Sequence, residues 1–268
     1  MKRNLNTFAR IVAAETVKLR STFAFWLTLF YPIGTVLLVT LFWVSMRNNK
    51  SLSTDMFINN LGNVASFFLP FFIVLMISVA CNTEHKSAML KHILALPVPR
   101  PVFYLGKFAG IMVFITLALI LTLVFAYGSL LLCGLLYTKL GLGATFNHGL
   151  LLRIIIRAYI AASAIYTIQY WLGMRLRNLT LPVAIGSALI ILPIAILIIL
   201  GIAGLINENQ SFTKIITYNP YSYPYSAAFN MMKSTEITIF SVNTYIFISL
   251  SLAALLLGAW DFTRRRVY

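Results

Sequence analysis

The chain has 268 residues, of which 60% are hydrophobic and 10% charged, with a mean hydropathy of +0.89 and a formal net charge of +15 at pH 7. Six membrane spans of ~20 residues would use ~120 residues, which leaves no room for a soluble domain of ordinary size. The basic residues cluster at the ends of apolar runs, a pattern that argues against a nucleic-acid-binding face. The composition therefore predicts a single polytopic membrane domain over residues 1–268.

Residues 4–22 precede the first apolar run and carry apolar side chains at helical spacing among basic ones. This pattern is typical of a helix that lies in the inner membrane interface. Glu15 is spaced to pair with Lys18 or Arg20, and we expect an exposed pair of this kind to contribute little stability.

The apolar runs predict an all-α fold with six transmembrane helices. The predicted spans are residues 23–46, 62–81, 108–136, 151–172, 181–206 and 242–260. Gly106 and Gly110 form a GxxxG motif at the start of span three, which permits close helix approach. Pro193 lies within span five and frees the carbonyl of Leu189 from its helical hydrogen bond, so we expect a kink there.

The segment 207–241 differs from the other connections because it contains the run TYNPYSYPYSAAFNMM. This run is too apolar for a solvated loop and too interrupted for a membrane span. It predicts short re-entrant or interfacial helices over the outer mouth of the bundle, before span six.

The distribution of charge predicts a multi-pass cell-membrane protein with both termini in the cytoplasm. With that orientation, most of the 21 Lys and Arg residues lie on the inner side, as the positive-inside rule requires. The basic residues left on the outer side are Arg47, Lys50, Lys139, Arg153, Arg157, Lys214 and Lys233.

Residues 84–100, here called the elbow, connect spans two and three on the inner side. The sequence EHKSAMLKHILAL over 84–96 predicts a short amphipathic helix. The prolines at 97, 99 and 101 then stop any helix. A rigid, charged elbow between two membrane helices suits an interaction with another protein, and the alternative is a solvated loop that only sets orientation.

The sequence carries no nucleotide-binding or metal-binding motif. The residues around Gly106-Lys107 do not have P-loop spacing, and HExxH, CxxC and GxSxG are all missing. The three His residues are not grouped as metal ligands. The centres of the predicted spans hold no ionisable residue, which makes ion-coupled transport less consistent with the sequence.

Arg153 and Arg157 are one helical turn apart at the outer end of span four. They are candidates for contact with a substrate or a lipid, since guanidinium groups bind phosphate and carboxylate. The alternative is that both snorkel to the outer headgroups.

Two segments resemble ABC-2 type permeases. Residues 15–27, ETVKLRSTFAFWL, are similar to the start of these proteins, where a Glu-x-x-Lys segment in an interfacial helix leads into span one. The elbow resembles their connection between spans two and three: Glu84, a basic stretch, Leu94 to Pro97, Arg100, and then Gly106-Lys107. Size and N-terminal segment are most similar to the permease subunits of bacterial antimicrobial-peptide immunity and bacitracin-resistance exporters.

The resemblance implies a permease subunit that binds no cofactor itself and is driven by a separate cytoplasmic ATP-binding subunit, which holds ATP and Mg. Two permeases, identical or homologous, would form the membrane path. The elbow would be the coupling helix, with the N-terminal helix, including Glu15 and Lys18, beside it. The implied coupling residues are Glu84, His85, Lys86, Lys91, Pro97 and Arg100.

The implied substrate is an antimicrobial peptide, a lipid-like molecule or another amphipathic compound. Two other classes remain open from the residues alone. One is a polytopic membrane enzyme that acts on lipid, and the other is a membrane scaffold without transport. A stoichiometric ATPase partner would separate the exporter from both.

Overall fold

The computed structural model describes residues 2–46, 54–86, 98–136, 148–176, 178–202, 218–231 and 240–264. The regular structure in these residues is helical. The helices are α1 (Lys2–Arg20), α2 (Phe23–Ser45), α3 (Thr54–Lys86), α4 (Arg100–Leu136), α5 (His148–Ala161), α6 (Ser163–Arg175), α7 (Thr180–Ile202), α8 (Tyr223–Met231) and α9 (Val242–Arg264).

Among the described residues, four helices are long and apolar enough to cross a membrane: α2, α3, α4 and α9. Helices α5 and α6 together would form a fifth span, bent by 41° at Ala162. The apolar part of α7, Thr180–Ile196, is shorter than the other four helices. The protein is thus an all-helical membrane protein with several spans, and the count of six stays a prediction.

The helices extend beyond the apolar runs that predicted them. Helix α3 continues through Lys86, so span two and the first residues of the elbow form one helix. Helix α4 begins at Arg100, two turns before the predicted start of span three. Hydropathy marks only the part of a helix that can lie in lipid, whereas helical hydrogen bonding propagates into the polar turns beyond it.

Helix α3 lies at the centre of the bundle, in contact with α2, α4, α5, α6, α7 and α8. Its buried side chains include Leu69, Ile73, Met76 and Ile77. Helix α7 approaches α3 closely at Gly186, where an added Cβ would lie 2.7 Å from both methyl groups of Val74. Small residues at such contacts let backbones pack tightly, which drives helix association in lipid.

The segment around Asn219 connects to three helices through side-chain hydrogen bonds. The Asn219 Nδ2 group donates to the Leu189 carbonyl of α7 at 2.8 Å. The Tyr221 hydroxyl donates to Gln169 Oε1 of α6 at 3.0 Å, and the Tyr223 hydroxyl lies 2.8 Å from Thr244 Oγ1 of α9. The carbonyl that Pro193 frees is therefore occupied by a residue from a separate segment.

We predict energetic coupling between Asn219 and Pro193. Asn219→Ala should lower the free energy of unfolding by about 1–3 kcal/mol, because it leaves the Leu189 carbonyl unpaired. In a Pro193→Ala background, residue 193 has an N–H that can bond to that carbonyl. Asn219→Ala should therefore lower the free energy of unfolding by less in that background. Thermal unfolding of the four variants in detergent measures the coupling, and additive effects would contradict it.

Candidate functional site at the elbow junction

Helix α1 packs against the first turns of α4 through the two glycines of the GxxxG motif. A Cβ at Gly106 would lie 2.7 Å from Ile11 Cγ2, and a Cβ at Gly110 would lie 2.7 Å from Glu15 Cβ. Both neighbouring atoms are near their own backbone and have little freedom to move. The expected close approach at this motif is present, and the partner helix is α1.

The same surface carries a buried ion pair. The Lys107 side chain has 0% exposure, and its Nζ lies 3.5 Å from Glu15 Oε2 and 3.4 Å from the Ala80 carbonyl of α3. Lys18 Nζ lies 3.6 Å from the other carboxylate oxygen, Oε1. The predicted pairing of Glu15 with Lys18 is therefore present, but the Glu15 side chain is only 6% exposed, so the expectation that the pair is exposed was wrong.

The ion pair follows from the position of Lys107 in an apolar helix. A buried ammonium is costly unless an opposite charge and a hydrogen-bond acceptor accompany it. Glu15 supplies the charge and Ala80 the carbonyl. Helices α1, α3 and α4 are thereby held together next to the elbow, and we call this set of contacts the elbow junction.

Helix α9 is attached to the same end of the bundle. The Arg100 guanidinium donates from Nη1 to the Thr263 carbonyl at 2.9 Å. The Trp171 indole of α6 donates to Asp261 Oδ2 at 3.1 Å. The first residues of α4 and the last residues of α6 and α9 are therefore joined beside the elbow junction.

The other predicted elbow residues are only partly described. Glu84, His85 and Lys86 form the last turn of α3. Lys91 and Pro97 lie outside the described residues, as does most of the predicted amphipathic helix 84–96. Of the implied coupling residues, Arg100 is the one whose side-chain contact is described.

The two candidate arginines of span four do not share one environment. Arg153 is exposed on α5, whereas Arg157 is 8% exposed. The two side chains therefore do not share an exposed position from which both could snorkel to the headgroups. Neither residue lies near the elbow junction, since α5 begins at the opposite end of the bundle.

Sequence reasoning did not select Lys107 or Gln169 as site residues. Lys107 had one detectable signal, a charge between two glycines at the start of an apolar helix. Gln169 is fully buried, and its Nε2 donates to Ser78 Oγ at 3.0 Å and to the Pro182 carbonyl at 2.9 Å. No pattern local to Gln169 indicates these partners.

Among the described residues, no three His, Cys, Asp or Glu side chains are grouped to hold a metal ion. Cys81 and Cys133 are both buried.

These features define a helical membrane protein in which polar contacts hold α1 and α9 beside the elbow, the basic connection between two spans. Residues 11–193 match the family model described as ABC-2 family transporter protein. The chain belongs to this family, and it is a membrane component of a transport system of the kind that works with an ATP-binding partner. No curated protein matches the sequence.

The glycine contact predicts a difference between two alanine substitutions in α4. Gly106→Ala should lower the free energy of unfolding by about 1–3 kcal/mol through overpacking against Ile11. Gly128→Ala is the matched control, because a Cβ there meets nothing within 4 Å, and it should be neutral or stabilising by up to about 1 kcal/mol. Thermal unfolding in detergent compares them, and equal effects would argue against α1 docking on Gly106.

The buried ion pair predicts that substitutions at Glu15 and Lys107 have strongly non-additive effects on the free energy of unfolding. Glu15→Gln should lower that free energy by about 3–5 kcal/mol, because it leaves a buried ammonium without a counter-charge. Adding Lys107→Met to that variant should recover most of the loss. Lys18→Met serves as control, since its side chain is 23% exposed and the change should cost at most about 1 kcal/mol. A double variant as unstable as the sum of the single variants would contradict the pairing.

Proposed function

We propose that this chain is the permease subunit of an ATP-driven ABC-2 type exporter. A cytoplasmic ATP-binding subunit, which holds ATP and Mg, binds the elbow and moves it. A second copy of the chain, or a homologous permease, completes the membrane path. Both termini are cytoplasmic. The observation that carries the proposal is the family match over residues 11–193, which includes the second half of α1, the elbow and α4.

The elbow junction supports this proposal mechanically. The elbow connects α3 and α4, and the contacts of Lys107 join both helices to α1 a few turns away. A force applied at 84–100 is therefore shared by three helices. The residues proposed to meet the ATP-binding subunit are Glu84, His85, Lys86, Lys91, Pro97 and Arg100, with α1 beside them.

The proposed substrate is an amphipathic molecule, which includes lipid-like compounds and antimicrobial peptides. Arg153 and Arg157 lie toward the end of the bundle opposite the elbow. Two arginines there favour an anionic or lipid-like substrate over a cationic peptide, because like charges repel in a low-dielectric site.

A pull-down tests the proposal. The full chain, tagged and extracted in mild detergent, should copurify with a P-loop ATPase in fixed stoichiometry and show ATP hydrolysis. Lys91→Glu, which reverses a charge in the elbow, should reduce recovery of that ATPase at least about tenfold, equivalent to about 1.4 kcal/mol of binding free energy. Arg264→Ala is the control, because it removes a charge near the same end of the bundle outside the elbow.

Two results would contradict the proposal. A chain that is recovered alone, without ATPase activity, favours the membrane enzyme or the scaffold. A lipid-modifying activity in that purified chain would then select the enzyme. An ATPase that copurifies equally with wild type and Lys91→Glu would remove the elbow from the interface while leaving the permease assignment intact.

A further inference from the structure

Arg157 is a buried cation without a protein partner among the described residues. Its side chain is 8% exposed, and its Nε is buried with no hydrogen bond. The described residues provide no ion pair to it. The other buried cation, Lys107, has both a carboxylate and a carbonyl nearby. Within the part of the chain that the structure describes, Arg157 is therefore the exception to the rule that buried charges are paired.

An unpaired guanidinium at this position is costly. Arg157 is the tenth residue of α5, so it lies about 13 Å along the helix axis from the first residue at a rise of 1.5 Å per residue. This depth places it within the apolar part of the bundle. Ionisable side chains inside membrane proteins are expensive, and those that face the protein interior mark binding sites more often than they stabilise the fold.

The described surroundings of Arg157 provide polar groups without negative charge. Tyr223 lies close to the guanidinium, and its hydroxyl already contacts Ser241 and Thr244 at 2.9 and 2.8 Å. Helix α8, which begins at Tyr223, packs along α5. The described part of the site therefore has a cation and a hydroxyl, and an anion would complete it.

Arg153 extends the site toward the end of the helix. It lies one turn before Arg157, and its side chain is exposed. Two guanidinium groups at this spacing attract a doubly coordinating anion, because each can bind two oxygens of a phosphate. The exposed arginine meets the anion first, and the buried one holds it in a low dielectric where the attraction is stronger.

We propose that Arg157, with Arg153 at the entrance and Tyr223 beside it, binds the phosphate group of an anionic lipid. The phosphate meets Arg153 first and Arg157 beyond it, and the acyl chains can remain in the surrounding apolar phase. The site is a property of this chain alone. It does not depend on transport or on an ATP-binding partner, so its test is separate from the test of the proposed function.

The experiment measures thermal unfolding of the full chain, delipidated in maltoside micelles, with and without phosphatidylglycerol. Phosphatidylglycerol should raise the wild-type Tm by about 3 °C, because a ligand that binds only the folded state stabilises it. Arg157→Met should raise the Tm of the lipid-free protein by about 2–4 °C, since it removes an unpaired buried charge. For the same variant, at least about tenfold more lipid should be needed to raise the Tm, which corresponds to a loss of about 1.4 kcal/mol of binding free energy.

Arg20→Gln is the control, because it removes the same charge from an exposed position on α1, outside the proposed site. It should increase the half-saturating lipid concentration by no more than about threefold. Arg157→Gln repeats the test if Arg157→Met is not recovered folded. Dioleoylglycerol, which lacks the phosphate, should give no rise in Tm.

Several outcomes would overturn the proposal. Equal losses in Arg20→Gln and Arg157→Met would indicate general attraction of headgroups to a basic surface. An Arg157→Met protein that melts below wild type and still responds to lipid would show that Arg157 stabilises the fold. A full response to sodium phosphate alone would assign the site to a soluble anion instead of a lipid.

Discussion

The carboxylate of Glu15 is the counter-charge for a lysine that has no exposure to solvent. Lys107 lies seven residues into a 37-residue apolar helix, where its ammonium cannot be hydrated. The pairing requires α1 to lie against α4, and the two glycines that flank Lys107 make that approach sterically possible. Electrostatics and shape therefore impose the same arrangement on the same surface. As a consequence, α1 is an integral part of the helix bundle, and the N-terminal segment and the elbow are joined through one contact surface.

The same requirement accounts for the polar groups elsewhere in the bundle. A carbonyl released by proline within a membrane helix has no water to bond, so another donor must reach it. Asn219 meets this need at Leu189. Gln169 has three partners, which satisfy its amide at the contact between α3, α6 and α7. Among the described residues, Trp43 Nε1, Ser66 Oγ and Ser163 Oγ are also buried without a hydrogen bond, but they are neutral, whereas Arg157 carries a charge. That contrast supports an external ligand.

Local signals in the sequence predicted local features, and the long-range partners were not predictable. Apolar length located α2, α3, α4 and α9 as candidate spans, and Pro193 identified Leu189 as a freed carbonyl. The GxxxG motif predicted close helix packing but did not identify the partner helix. Glu15 was paired with Lys18 because they are three residues apart, whereas Lys107 is 92 positions away. The break at Ala162 was also missed, since neither proline nor glycine lies there. Each feature that was missed depends on which helices become neighbours in the fold, and no short sequence pattern indicates those neighbours.

The distribution of these contacts bears on how movement could pass through the chain. Near the elbow, α1, α3, α4, α6 and α9 are joined by the ion pair, by Arg100 and by Trp171. Farther along, the chain bends by 41° at Ala162, and Pro193 removes one hydrogen bond from α7, which continues through it. The segment from Asn219 to Tyr223 bonds to the carbonyl that Pro193 frees, and Tyr223 packs with Ala161 and Ala164 on either side of Ala162. A displacement that begins at the elbow meets stiff connections first. It can be absorbed at the bend and at the weakened turn of α7, and one polar segment lies against both of those places.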